Sequence, residues 1–249
     1  MLTSHRPRAV TPEDTRYEPV SQIDKEMVTC PSCGEMHEQV VFRSLNGERV
    51  PAQVQRLLDG TFEVITCALC GHWYQPEHRM LYSHFALRTW IVMMPLADRE
   101  RFATLEHGVA LTFERDFQGA PPPVAAGLRG VRPRLVFGQT ALSEAVRVAE
   151  AGLEPALLEC AKLLVFRRNL GTTAAYGPVE LIYEGLTNNG AIQLGVIELG
   201  SGARRDTVIS PHEVLDEVAA TRAEFEARYP SLFVRPYVSA TRYLFGANG

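Results

Sequence analysis

The sequence predicts an α+β protein, with a zinc-ribbon-containing N-terminal unit followed by a smaller α+β unit that carries a β-hairpin and a C-terminal helix. Three observations carry this expectation. Two C-x-x-C-G motifs, TCPSCG starting at Thr29 and TCALCG starting at Thr66, flank a strand-helix-strand pattern. Elsewhere the apolar residues recur either at every second position or at three-to-four spacing, the periods of half-buried strands and amphipathic helices. Near the far end, Asn189-Gly190 separates two strand-like runs, a turn signal because both residues tolerate positive φ.

Taken in order, residues 1–26 are polar and punctuated by Pro7, Pro12 and Pro19, which predicts a disordered or loosely docked arm. Residues 27–118 form the zinc-ribbon domain. Within it QVVFRS reads as a strand, and VPAQVQRLLDG as a helix with Val54, Leu57 and Leu58 on one face and Gly60 as its stop. TFEVIT alternates as a strand into the second cysteine pair, and TWIVMMP is a short buried strand that Pro95 ends. Leu105, Val109, Phe113 and Phe117 fall four apart, so Asp98 to Phe117 is an amphipathic helix.

The Pro/Gly/Ala-rich stretch 119–131, GAPPPVAAGLRG and its neighbour, reads as a linker and domain boundary, because three consecutive prolines do not continue a helix. Residues 132–249 are the α+β domain. RLVFG is a strand; Leu142, Val146 and Ala149 line one helix; Pro155 opens the next, with Leu157, Ala161, Leu164 and Val165 on one side. PVELIYEGL and AIQLGVIEL are the hairpin strands. The SPHE segment, Ser210 to Glu213, has the composition of a capping box, and its helix runs to about Tyr229 with Val214, Val218, Phe225 and Tyr229 as its buried stripe.

Composition narrows the function classes. The chain has 249 residues, 46% of them hydrophobic, enough to bury one large core or two modest ones. MLTSHRPRAV has no apolar run after its basic residues, and Trp90 to Ala97, the longest apolar stretch, is far too short to span a bilayer. These features predict no membrane partner and a cytoplasmic location, where thiols stay reduced. The formal net charge is −4 and no basic run exceeds two residues, which argues against nucleic acid, since phosphate binding needs clustered positive charge.

Cys30, Cys33, Cys67 and Cys70 carry the chemistry. A tetrahedral zinc ion takes four soft ligands, and a tight turn bearing two thiolates supplies half of the set. The glycine after each second cysteine permits a left-handed backbone, so that amides fold back toward the sulfurs. The 33 residues between Cys33 and Cys67 exceed the simplest spacing. This matters little, because doubling a loop costs only about 0.6 kcal/mol of closure entropy. Disulfides conflict with a reducing compartment, and a thioredoxin-like pair leaves the matching one idle. Iron on the same four sulfurs, as in a rubredoxin, is the rival. Four cysteine ligands close the coordination shell, which argues against metal catalysis.

TCPSCG, the helix with LLDG, ITCALCG, and the leucine-tyrosine pair at Leu81 and Tyr82 together resemble the CpXC family, a bacterial and archaeal group named for its cysteine motifs. The resemblance runs more weakly into ALSEAVRVAEAGLEPALLECAKLLV and so spans Met27 to Val165. It implies a metal held by the four cysteines and no particular activity. Ala68 stands where the family name expects proline, which removes no ligand, and His84 stands where members often carry an aspartate.

Other suggestive residues have simpler readings. His37, His72, His78 and His84 are hydrogen-bonding or surface histidines rather than ligands, with His72 the one placed to donate to a sulfur. HEVLD lacks the second histidine of a metalloprotease helix, GTTAAYG lacks the lysine of a phosphate loop, and Cys160 is a small buried hydrophobe. PYVSATRYLFGANG is apolar enough to dock on its own domain; the alternative is that Tyr237, Tyr243, Leu244 and Phe245 bind another protein.

No nucleophile, carboxylate pair or cofactor loop accompanies the cysteines, so the sequence points away from an enzyme. The expected function is a zinc-binding, non-enzymatic protein-interaction or assembly module, with a protein partner or self-association. The alternatives are a zinc-ribbon protein associated with nucleic acid or transcription, resting on Arg79, Arg88, Arg99 and Arg101, and a rubredoxin-like iron or redox protein.

Overall fold

The computed structural model describes residues 21–169, 178–199 and 202–243. It is a mixed α+β structure. Strands β1 (Ile23–Thr29) and β2 (Met36–Phe42) form an antiparallel ribbon that pairs Thr29 with Met36 at its tip. Strand β1 takes in Ile23 to Glu26, which the sequence had placed in the arm. The rest of that arm, residues 1–20, lies outside the described residues.

After the short β3 (Ser44–Asn46), helix α1 (Pro51–Leu58) begins with proline at its first turn, where the missing N–H is no loss, and buries Val54 and Leu57. Strand β4 is only Ile65–Thr66, shorter than the alternation of TFEVIT predicts. The cause is Glu63, whose φ of 49° breaks the extended run and whose carboxylate accepts hydrogen bonds from the Phe42 amide (2.6 Å) and the His78 ring (2.7 Å). Strand β5 (Trp73–Tyr74) pairs with β4; β6 (Met80–His84) and β7 (Thr89–Met94) follow as a hairpin.

A 3-10 turn, Leu96–Arg101, leads into α2 (Phe102–Gln118). The Pro/Gly/Ala-rich stretch then holds a two-turn helix, α3 (Pro122–Leu128), whose prolines sit at the first turn where they are tolerated. Beyond it β8 (Arg134–Phe137) pairs in parallel with β7, so a boundary at 119–131 would cut one sheet. The sheet order is β3-β6-β7-β8.

Side chains on the central strand β7 alternate between two cores. Ile91 and Met93 face α1 and α4 (Gly138–Glu150), where Leu45, Phe62, Tyr82, Leu142 and Val146 complete a cluster. Trp90 and Val92 face α2 and α3, with Phe102, Leu135 and Tyr237. Each fully buried aliphatic side chain here contributes about 1.5–3 kcal/mol.

A third core joins α5 (Pro155–Arg168) to the antiparallel sheet β11-β10-β9. Strands β9 (Val179–Leu186) and β10 (Ile192–Glu198) form the expected hairpin, although only Gly190 of its turn is left-handed, at φ 80°. Strand β11 (Arg204–Ser210) is on the other edge of β10. The last helical region departs from expectation. Ser210 ends the strand, no side-chain cap forms, and the helix divides into α6 (Glu213–Ala220), α7 (Arg222–Arg228) and α8 (Pro230–Val234). The break falls at Thr221, whose hydroxyl donates to the Glu217 carbonyl (2.9 Å), competing for the backbone acceptor of the last turn.

The described part of the C-terminal segment, residues 236–243, docks on the protein. Tyr237 packs on Phe102 and Phe137, and a second 3-10 turn, Ala240–Tyr243, buries Arg242 against Glu106. Leu244 and Phe245 lie outside the described residues, as does GTTAAYG, residues 171–177.

Candidate metal centre

The two cysteine turns are built alike. In the first, the Cys30 amide donates to the Glu35 carbonyl (2.8 Å) and the Gly34 amide to the Cys30 carbonyl (2.9 Å). In the second, Cys67 and Gly71 make the same two bonds, to His72 and Cys67, at 2.8 and 2.9 Å. Gly34 and Gly71 have φ of 77° and 73°, a conformation that a side chain would strain. The strand pairs below them match too, Thr29 opposite Met36 and Thr66 opposite Trp73.

The turns meet face to face. Cys30 Sγ lies 3.7 Å from Cys70 Sγ, and Cys33 Sγ 3.7 Å from Cys67 Sγ; all four sulfurs fall within 4.8 Å of one another. Four sulfurs about 2.3 Å from a tetrahedral zinc are separated by edges of about 3.7 Å, so the donor set fits such an ion. Cys30 and Cys67 are buried and Cys33 and Cys70 exposed. All four sequence-predicted cysteines are thus brought together.

Their electrostatics are those of thiols competing for charge. Burial works against ionising Cys30, yet the Cys33 and Ser32 amides and the neighbouring thiols bring it down to about 7. The Glu35 amide favours the Cys33 thiolate, but burial and the three other thiols push it up to about 12. Ionising all four sulfurs this close together would need a cation among them, and loading one would release protons. Burial, then the charge of the four sulfurs, likewise raises the Tyr74 hydroxyl.

Around the sulfurs the packing is thin. Ile65, Tyr74 and part of Val28 are the apolar groups against Cys30 and Cys67. The Tyr74 hydroxyl and His37 Nε2 are 2.9 Å apart, joining the two turns below the cysteines. These residues occupy equivalent places in the two turns, and superposing the motifs at their 37-residue offset would have singled them out. His72 meets the centre through its backbone carbonyl, while its ring stacks on Tyr74. His78 is tied to Glu63 with both side chains 5% exposed, and His84 is 3.5 Å from Glu48. Cys160 is fully buried, and burial raises its thiol to about 12.

Of the four arginines expected to line any phosphate-binding surface, two are engaged in ion pairs. Arg99 is half-buried in an ion pair with Glu180 (3.1 Å), and Arg101 pairs with Asp98 (3.0 Å). Among the described residues no helix is long and apolar enough to cross a membrane. A buried ionic group that sequence periodicity hides lies behind β8. There Lys162 Nζ is 2.5 Å from both Glu144 Oε1 and Glu159 Oε1, and burial raises Glu144 to about 7 despite the lysine.

Comparison with curated proteins and with solved structures finds no match. The CpXC protein family does match, over residues 28–162, a span of more than half the chain that includes both cysteine turns and the sheet behind them; the chain belongs to the CpXC family.

Proposed function

We propose that this chain is a zinc-binding, non-enzymatic protein-interaction module acting in the cytoplasm, in which the metal holds two knuckles so that their outer surface can engage a protein partner or a second copy. The observation that supports the reading is where exposed apolar side chains concentrate. Met27, Met36 and Val40 on the β1-β2 ribbon, and Leu69 and Trp73 on the second knuckle, are each more than half exposed. Large aromatic and methionine side chains left in water beside a rigid turn are the composition of an interface core. The metal centre would contribute rigidity, with Cys30, Cys33, Cys67 and Cys70 as its ligands and the four turn amides, bonded to backbone carbonyls, holding the turns that carry them. A closed thiolate shell leaves no open position for substrate.

Elemental analysis of freshly purified, reduced protein tests the metal. One zinc per chain supports the reading; iron with visible absorption replaces it by the rubredoxin-like alternative. The interface is tested with Trp73→Ser and Met36→Ser together, which leave every sulfur in place. Loss of the native complex or self-association, with zinc content unchanged, is the expected result. An unchanged complex refutes the assignment of that surface.

A further inference from the structure

A cleft of about 810 Å³ lies away from the cysteines, between the β6-β7 turn, the start of β8, the α4-α5 turn and the segment after α8. In a protein of net charge −4 its lining is basic, with Arg88, Arg132, Arg134 and Arg235 against one acid, Glu154. That acid is already engaged: Arg222, from α7, donates to both its oxygens at 2.6 and 2.9 Å. None of the four lining arginines takes part in an ion pair among the described residues. Arg132 spends one N–H on the Phe233 carbonyl (2.8 Å).

Arg134 is the most telling of the four. Its Nε is sealed from solvent without a hydrogen-bond partner. The acids whose charge reaches it, Glu144 and Glu159, are both held by Lys162. Burial accordingly pulls the guanidinium pKa down, the sign of a cation short of compensation. A largely buried charge without a paired counter-ion is unfavourable, and because Arg134 also lines the cleft, an anion there would compensate its charge without bonding to the sealed Nε. Arg88 adds a second observation. It holds a left-handed backbone at φ 51°, unusual for a side-chain-bearing residue, and its Nη1 lies against Gly130, where a Cβ would be 4.0 Å away.

From the unpaired arginines and the size of the cleft we infer that it binds a small phosphorylated organic molecule of about nucleotide size. Guanidinium forks match phosphate oxygens in pairs, and several arginines suit more than one negative charge. The remaining walls, including Trp90, Leu153 and Phe233, offer apolar area for the organic body. A cavity of several hundred cubic ångströms with few polar groups is the usual form of such a site. This inference is independent of the metal and of the interface proposed for the knuckles.

The test uses the full metal-loaded chain at physiological ionic strength, titrated calorimetrically with ADP, inorganic pyrophosphate and a single-stranded RNA oligonucleotide. Saturable one-to-one binding of ADP below about 1 mM, weakened at least tenfold by Arg88→Gln with Arg235→Gln, is the expected result. Both are exposed, so these variants leave the core intact. Arg134→Met should lose binding and raise the melting temperature of the unliganded protein, since it removes an uncompensated charge while keeping the volume. No binding of ADP or pyrophosphate in that range overturns the inference, as does undiminished affinity in the double variant or a lower melting temperature for Arg134→Met. Tighter, steeply salt-dependent binding of the RNA overturns it in favour of a polynucleotide.

Discussion

Stripping the metal should melt the two cysteine turns and little else. The sixteen residues Thr29–Met36 and Thr66–Trp73 form the knuckles, and ordering them costs about 24 kcal/mol at roughly 1.5 kcal/mol each. Against this stand Ile65, Tyr74 and part of Val28, contributing about 7 kcal/mol by burial, and four turn hydrogen bonds at about 1 kcal/mol apiece. The shortfall of about 13 kcal/mol falls inside the range of about 10–16 kcal/mol for a structural zinc. Hydrogen exchange of the full chain, before and after chelation verified by elemental analysis, reads this directly. Amides at Cys30, Gly34, Cys67 and Gly71 should lose protection while α4 and β9 keep theirs, because Leu142, Val146, Tyr183 and Leu194 are buried in separate cores. Knuckles that remain protected without metal would refute the accounting, and so would equal loss of protection in α4.

Three further outcomes follow from the packing. The Glu63 hydrogen bond and charge raise the His78 pKa, although burial and Arg43 oppose the shift. The stability this pair contributes is therefore fully present below the ordinary histidine value of about 6.5 and is lost as pH rises through the raised folded-state value, so the gap in denaturation midpoint between wild type and His78→Gln should shrink from pH 6 to pH 9. Lys162→Met leaves Glu144 and Glu159 buried without their cation and should cost about 3–5 kcal/mol in urea unfolding. Gly47→Ala places a Cβ 2.5 Å from the buried Tyr82 hydroxyl, and overpacking of this kind should cost about 1–3 kcal/mol, read in the same assay.

The four-cysteine cluster and most regular elements were legible because each depends on local pattern. Doubled C-x-x-C-G spacing needs no tertiary information, and the helical stripes at Val54 and Leu57 and at Leu142 and Val146 report their own burial. What escaped reading is non-local. Pro122 and Pro123 look like a chain break, yet the first turn of a helix tolerates them, and the return of Arg134–Phe137 to β7 is a pairing that no local window contains. Glu63 interrupts a strand because its two carboxylate oxygens are held by the Phe42 amide and by His78, both distant in sequence. Lys162 sits on a helix with apolar residues on nearly every side, so its two glutamate partners become visible only when α4 and α5 are brought together. The basic cleft draws its arginines from separate segments and leaves no motif at all.

The 37-residue offset between the cysteine turns also sets a schedule for synthesis. At about 5–20 residues per second, the second pair of thiols leaves the ribosome about 2–7 s after the first. During that interval Cys30 and Cys33 form an open dithiol with half a coordination shell, the form most exposed to oxidants and to the wrong metal. Oxidative stress during translation should therefore damage nascent chains of this protein far more than finished ones.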